Sequence, residues 1–215
     1  MRQKFLGILA LCLCFLTAQA QENAAVQLLQ RAGDNYQKNG GVDAAFHLVV
    51  LEPGGAQADD FDGTIQLKGN KFKLDVPDEM ITWFDGRNQW LYLIQAEEVN
   101  LSNPDEEELL MINPVNVFLL YRHGYDCRLE SDRNYQGKAV RAVTLRPQDK
   151  QSDLSDILVY FDKVSLQPCH IRITNKDRSG SIIQITRYKP GQSYPDSKFV
   201  FQQKDYPEAE VIDLR

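Results

Sequence analysis

Cysteine and histidine are scarce in this chain, and their scarcity argues against most metal and thiol chemistry. Four cysteines and three histidines occur in 215 residues. Cys12 and Cys14 lie in an N-terminal apolar run, which leaves Cys127 and Cys169. Cys169 and His170 are neighbours in a strand-like run, so their side chains point to opposite faces and do not share a metal. His47 and His123 have no third ligand beside them in the pattern, and no metal or cofactor is expected. There is no G-x-S-x-G elbow, because Gly180-Ser181 opens a strand-like run instead of turning into a helix. No glycine-rich loop of the kind that cradles phosphates appears. The carboxylate pairs Asp59-Asp60 and Asp153/Asp156 fall in turns, where acids are ordinarily solvated, and neither marks the paired acids of a glycosidase cleft. Asp105-Glu106-Glu107-Glu108 lacks the alternating oxygens and the glycine of a calcium loop, and reads as the acidic start of a helix. Enzymatic chemistry is therefore not expected.

Long apolar runs are also missing. The longest, residues 5–16, is too short to span a bilayer as a mature anchor. It follows Met1-Arg2-Gln3-Lys4 and precedes Ala18-Gln19-Ala20, the layout of a secretory signal with cleavage after Ala20. Residues 1–20 are thus expected to be a signal peptide, and 21–215 one mature domain in an envelope compartment. Cleavage removes Arg2 and Lys4 and no acid, leaving 22 basic against 30 acidic side chains, net −8. That balance argues against a nucleic-acid partner and against charge-driven docking on anionic lipid. In an oxidising compartment two readings stay open for Cys127 and Cys169. They form a disulfide worth ~4 kcal/mol in the chain-entropy model, or they are two buried thiols on separate strands.

What the chain has in quantity is alternation. After a helical stripe of Val26, Leu29, Ala32 or Gly33, and Tyr36, the Asn39-Gly40-Gly41 run stops the helix. The period then changes to two, with strands expected over 42–51, 60–68, 72–76, 80–84, 89–94, 97–101, 125–130, 139–147, 156–162, 168–175, 181–188 and 198–201. No helix of crossover length intervenes, so the sheet is expected to be antiparallel and meandering. Its clearest hairpin is I-T-W-F-D-G-R-N-Q-W-L-Y-L-I over residues 81–94, where Asp85-Gly86 supplies the positive φ of a tight turn. Both faces of this hairpin are apolar, so it is either the filled wall of a core or the wall of a cavity. A second helix is expected from Asn113 or Pro114 to Tyr121, apolar nearly all round and therefore enclosed. A sheet of about eleven strands curls around a concavity that strand side chains alone do not close, and the apolar helices are its natural plug.

Five segments occur in an order that resembles a known family. They are the N-terminal signal and amphipathic helix, G-T-I-Q-L-K-G-N-K-F-K-L over 63–74, I-T-W-F-D-G-R-N-Q-W-L-Y over 81–92, N-P-V-N-V-F-L-L over 113–120, and S-K-F-V-F over 197–201. Together they are similar to the periplasmic outer-membrane lipoprotein carriers of the LolA family. That resemblance implies a mainly β fold, an unclosed antiparallel barrel of about eleven strands with a helical lid. It implies binding of the acyl chains of lipoproteins and their transfer from the inner to the outer membrane. The implied partners are acylated lipoproteins, an inner-membrane ATP-driven lipoprotein-releasing complex and an outer-membrane receptor, with the carrier itself a monomer.

By motif position, the resemblance puts Phe72 and Leu74 on the lining and Trp90 and Tyr92 on a wall strand. Phe46, Leu48, Ile65, Leu67, Ile81 and Trp83 join the candidate lining, and Val115, Phe118, Leu119 and Leu120 the lid. Enterobacterial members tie barrel to lid with an arginine just before the Phe72 strand. Here that stretch is Lys68-Gly69-Asn70-Lys71, so Lys68 and Lys71 are the latch candidates, without the planar fork of a guanidinium. The alternative reading is a periplasmic lipid- or lipoprotein-sensing regulatory module on the same barrel, which would ordinarily bring a second domain.

Overall fold

The computed structural model describes residues 24–105, 108–109, 117–118 and 120–215. The expected signal peptide and its cleavage site lie outside them, as do Val115, Leu119 and most of the expected second helix.

Helix α1, residues 24–38, buries Ala25, Leu28, Leu29, Ala32 and Tyr36. The buried stripe is rotated from the expected one, for Ala25 and Leu28 face inward while Val26 is only half-buried. The Asn39 N–H donates back to the Asn35 carbonyl at 3.2 Å, and Gly40 follows with φ +71°, which ends the helix. Strands then follow one another: β1 (Gly41–Leu51), β2 (Gln57–Lys68), β3 (Lys71–Val76), β4 (Met80–Phe84), β5 (Gln89–Leu93) and β6 (Glu98–Ser102). After a 3-10 turn at Leu120–Arg122 come β7 (Tyr125–Leu129), β8 (Arg133–Tyr135), β9 (Lys138–Pro147), β10 (Leu154–Asp162), β11 (Pro168–Asn175) and β12 (Gly180–Gln192), with β13 (Glu210–Asp213) last.

The strands form one sheet in the order β13-β6-β5-β4-β3-β2-β1-β12-β11-β10-β9-β7, with β8 also on β9. Two sequence-local meanders are joined where β12 returns to pair with β1 along its whole length. Among the described residues every pairing is antiparallel except β13 with β6, which is parallel. The sheet curls without closing: β13 and β7 are its two ends and do not pair with each other. Among the described residues thirteen strands stand where about eleven were expected. The additions are β8, a three-residue hairpin arm, and β13, which forms on the Val211-Ile212 pair of an otherwise polar tail. The strand expected over 198–201 is instead a 3-10 turn at Asp196–Phe199 followed by extended chain. Pro195 leads into that turn, and two lysines hold Asp196 in place.

Among the described residues there are two apolar clusters. The larger lies on the concave face, where α1 and the segment carrying Val117, Phe118 and Leu120 pack against the inward residues of β1 to β3 and β9 to β12. Phe118, 2% exposed, lies between Tyr36 and Phe161, with ring centroids at 6.1 and 5.9 Å. The smaller cluster is on the convex face, where Ile81, Trp83 and Val99 are covered by Phe201, Tyr206 and Ala209 of the C-terminal segment. Trp83 meets Phe201 and Tyr206 edge-on at 5.5 and 5.4 Å, near the spacing at which aromatic pairs add to simple burial.

Cys127 and Cys169 are not joined by a disulfide. They stand on β7 and β11, with β9 and β10 between them, so of the two open readings the structure shows separate thiols.

The C-terminal segment is anchored where it leaves the sheet. The Lys68 and Lys71 ammonium groups each lie 2.8 Å from the Asp196 carboxylate, and Lys68 also donates to the Tyr194 carbonyl at 2.8 Å. Hydrogen bonds from Lys68 and then Lys71 hold the Asp196 carboxyl down at about 2, below its ordinary range. A depressed carboxyl pKa favours the folded state above the unfolded value of about 4 and stops doing so as pH falls through the folded value. Asp196→Asn is therefore expected to lower Tm at pH 7 and low salt, and the difference from wild type should vanish between about pH 4 and pH 2. Melting curves across that window check it.

Candidate functional site

The inward face of the β1–β5 meander leaves an unfilled space. Its walls are Phe46 and Leu48 from β1, Ile65 from β2, Leu74 and Val76 from β3, Met80 and Thr82 from β4, Gln89 and Leu91 from β5, and Ile183 from β12. Register explains the set. Ile65 pairs with Leu74, Leu74 with Thr82 and Thr82 with Leu91, so one row of inward residues runs straight across four strands. Phe46 stands opposite Gly63, where a Cβ would come within 2.4 Å of its ring, so glycine is what lets that ring lie over β2. None of these lining residues carries a formal charge. The cavity measures about 180 Å³, and since an apolar void of ~150 Å³ takes one benzene ring, it holds only a short stretch of alkyl chain.

Of the residues expected at the site, the structure brings Phe46, Leu48, Ile65 and Leu74 together on the cavity wall. Leu67 and Phe72 share that face but are fully packed; Phe72 lies against Phe84 at 5.4 Å. Phe118 and Leu120 are buried in the same apolar cluster as the wall. Ile81, Trp83, Trp90 and Tyr92 are on the opposite, convex face under the C-terminal segment. The hairpin does wall the cavity, but through Thr82, Gln89 and Leu91. Val76, Met80, Thr82, Gln89, Leu91 and Ile183 were missed. A signal for three of them was available: Thr82, Gln89 and Leu91 fall on the alternate face of the hairpin from the tryptophans.

The latch candidates have a partner outside the lid. Lys68 and Lys71 are engaged by Asp196, and the tie at the β2–β3 turn is the Tyr36 hydroxyl, which donates to the Gly69 carbonyl at 2.8 Å. Burial, with the neighbouring Tyr188 phenol adding to it, pushes the Tyr36 hydroxyl well above its usual range, so it stays a donor. At the other end of the sheet the Asn35 amide donates to the Ser165 carbonyl at 2.8 Å. Helix α1 is thus tied to two turns on opposite halves of the sheet, by one side-chain hydrogen bond each among the described residues.

One polar atom stands out. Gln89 is 8% exposed, and its Oε1 has no hydrogen-bond partner among the described residues. Leaving such an atom unpaired costs ~1–3 kcal/mol, and native proteins contain few of them.

An unclosed antiparallel barrel that covers its own concavity with a helix and leaves an apolar space unfilled defines a class of open-barrel folds. Within that class the chain belongs to the LolA family: the family model described as "Outer membrane lipoprotein carrier protein LolA" matches residues 15–177. Among curated proteins, none matches the sequence. Among solved structures, an uncharacterized conserved protein from Thermus thermophilus is similar at 13% identity, with 86% of this chain and 98% of that one covered and a TM-score of 0.58. A DUF1329 family protein from Desulfovibrio piger matches at 13% identity over 84% and 97% of the two chains, TM-score 0.52. A LolA superfamily protein from Nitrosomonas europaea matches at 11% identity over 82% and 98%, TM-score 0.46. At these identities the first two show a shared fold and nothing further.

Tyr36→Phe keeps the ring against Phe118 and removes only the bond to Gly69. It is expected to lower the unfolding free energy by ~1 kcal/mol, read as a lower denaturant midpoint at unchanged slope.

Proposed function

We propose that the protein is a periplasmic module that binds the acyl chains of lipids or lipoproteins on its concave face, exchanging them for its own plug. The observation that carries this reading is continuity. The cavity wall and the plug form one apolar cluster, in which Phe46, Ile65, Leu74 and Val76 pack together with Leu29, Tyr36 and Phe118.

Energetics favour exchange over simple filling. Burying a methylene is worth ~0.8 kcal/mol, so three acyl chains with about 40 methylenes would sum to ~30 kcal/mol, beyond the ~18–21 at which non-covalent affinity saturates. Chains that come from a membrane and return to one cancel most of that sum. What remains is the difference between chains and plug side chains in the same place, which is small and reversible. The existing cavity of about 180 Å³ is far too small for such a load, so loading requires the plug to leave. In this reading the finer role is the family's: transfer of lipoproteins from the inner to the outer membrane, with an ATP-driven inner-membrane complex supplying the load.

Phe118→Ala separates a plug from an ordinary core. Truncating a buried phenylalanine is expected to destabilise the empty protein by ~3–5 kcal/mol. If the loaded state has already released Phe118, the same change should tighten acyl binding at least tenfold, because the competitor for the space is weaker. Binding of a synthetic triacylated lipopeptide by titration calorimetry checks this, and unchanged affinity would contradict the plug. Mass spectrometry of protein isolated gently from its native envelope should show acylated peptides or lipid.

A further inference from the structure

One turn is gripped from both faces of the sheet. Lys68 and Lys71 form the last rung of the β2–β3 hairpin, and Gly69, with φ +60°, and Asn70 make the loop beyond it. Alternation along β2 and β3 turns the buried Leu67 and Phe72 inward, so Lys68 and Lys71 point outward. There the two oxygens of one carboxylate, Asp196, meet the two ammonium groups at 2.8 Å each. From the inner face the Tyr36 hydroxyl of α1 donates to the Gly69 carbonyl at 2.8 Å. The carbonyl that ties down the helix therefore belongs to a two-residue loop whose ends are held together by the C-terminal segment.

A second contact joins the same partners. Gly41 opens β1 just after the end of α1, and a Cβ there would come within 2.9 Å of the Tyr194 ring. That ring meets the fully buried Phe199 edge-on at 6.0 Å, and the Tyr194 carbonyl accepts from Lys68 at 2.8 Å. The stretch from Tyr194 to Phe199 thus bears on α1 where it passes into β1 and, through the loop, at Tyr36.

We infer that the C-terminal segment is a strap that retains the plug. The clamp of Lys68 and Lys71 on Asp196 favours the state with α1 seated, so a change on the convex face alters how readily the concave face accepts a guest. The inference rests on the acyl-exchange reading above and adds to it where the exchange is regulated. Its basis is differential: an interaction made only in the plugged state is given up on loading, and removing it shifts the balance towards the loaded state. The side chains of Lys68, Lys71 and Asp196 are 43, 28 and 63% exposed. The clamp can therefore be opened from solvent while Phe201 and Tyr206 stay on Trp83.

The test is a cycle of Asp196→Asn, Tyr36→Phe and the double variant against wild type. Denaturant midpoints at unchanged slope give the unfolding equilibrium constants, and titration calorimetry with the synthetic triacylated lipopeptide gives the dissociation constants. Two groups that act through one loop are not independent. Asp196→Asn is expected to tighten lipopeptide binding about threefold on its own and about 1.5-fold or less beside Tyr36→Phe, a size in keeping with exposed ion pairs. The two effects on the unfolding constant should likewise multiply to more than the double variant shows.

Unchanged lipopeptide affinity in Asp196→Asn, with its midpoint lowered, makes the clamp an anchor that holds empty and loaded forms alike, and overturns the inference. Equal tightening with and without the Tyr36 hydroxyl overturns it too, because the loop is then not the path. No binding of the lipopeptide by any of the four proteins overturns the acyl-exchange reading itself. In that case non-additive midpoints still sustain the tie between strap and helix, and additive ones remove it.

Discussion

The constraint on which the structure depends is geometric: a long curled antiparallel sheet has more concave surface than its own side chains can cover. Helix α1 and the segment around Phe118 supply the missing cover. Everything about the inner face follows from this. The helix is amphipathic because one side faces strands and the other water, and Phe118 sits between rings contributed by the helix and by β10. The remaining cavity is the part of the concavity that the helix does not reach.

Cover supplied in this way differs from an interdigitated two-sheet core. Among the described residues two side-chain hydrogen bonds, from Tyr36 and Asn35, fix α1 to turns of the sheet, and apolar burial adds to them. Apolar contact does not distinguish a helix face from an alkyl chain, so the surface that folds the protein and the surface that would receive a guest are the same. The convex face solves the same problem permanently. There the C-terminal segment lays Phe201 and Tyr206 on Trp83, and Asp196, held between two lysines, fixes the entry of that segment.

Much of the fold is legible in the sequence because it is local. Alternation marks the strands, the stripe marks α1, and Asp85-Gly86 marks the hairpin, where Gly86 has φ +103°. What was not legible depends on residues far apart in the chain. The two faces of the 81–94 hairpin are both apolar, and only the distant Phe201 and Tyr206 decide that Trp83 and Tyr92 point outward. The aromatic side chains that dominate this hairpin therefore fall outside the cavity, while its Thr82, Gln89 and Leu91 wall it. Lys68 and Lys71 bear charges that a latch would use, yet an acid 128 positions from Lys68 claims both. β8 and β13 are short and mostly polar, and pairing with β9 and β6 is what makes them strands.

The open seam has a further consequence for solubility. A sheet that does not close presents two rims of unpaired backbone, and a long flat rim is a template for growth by another copy. Here neither rim is long. One is β13, four residues bracketed by Glu210 and Asp213; the other is broken into β7 and β8, five and three residues laid end to end along β9. The barrel can stay open for an apolar guest without inviting fibrils, because its margins are kept short and charged.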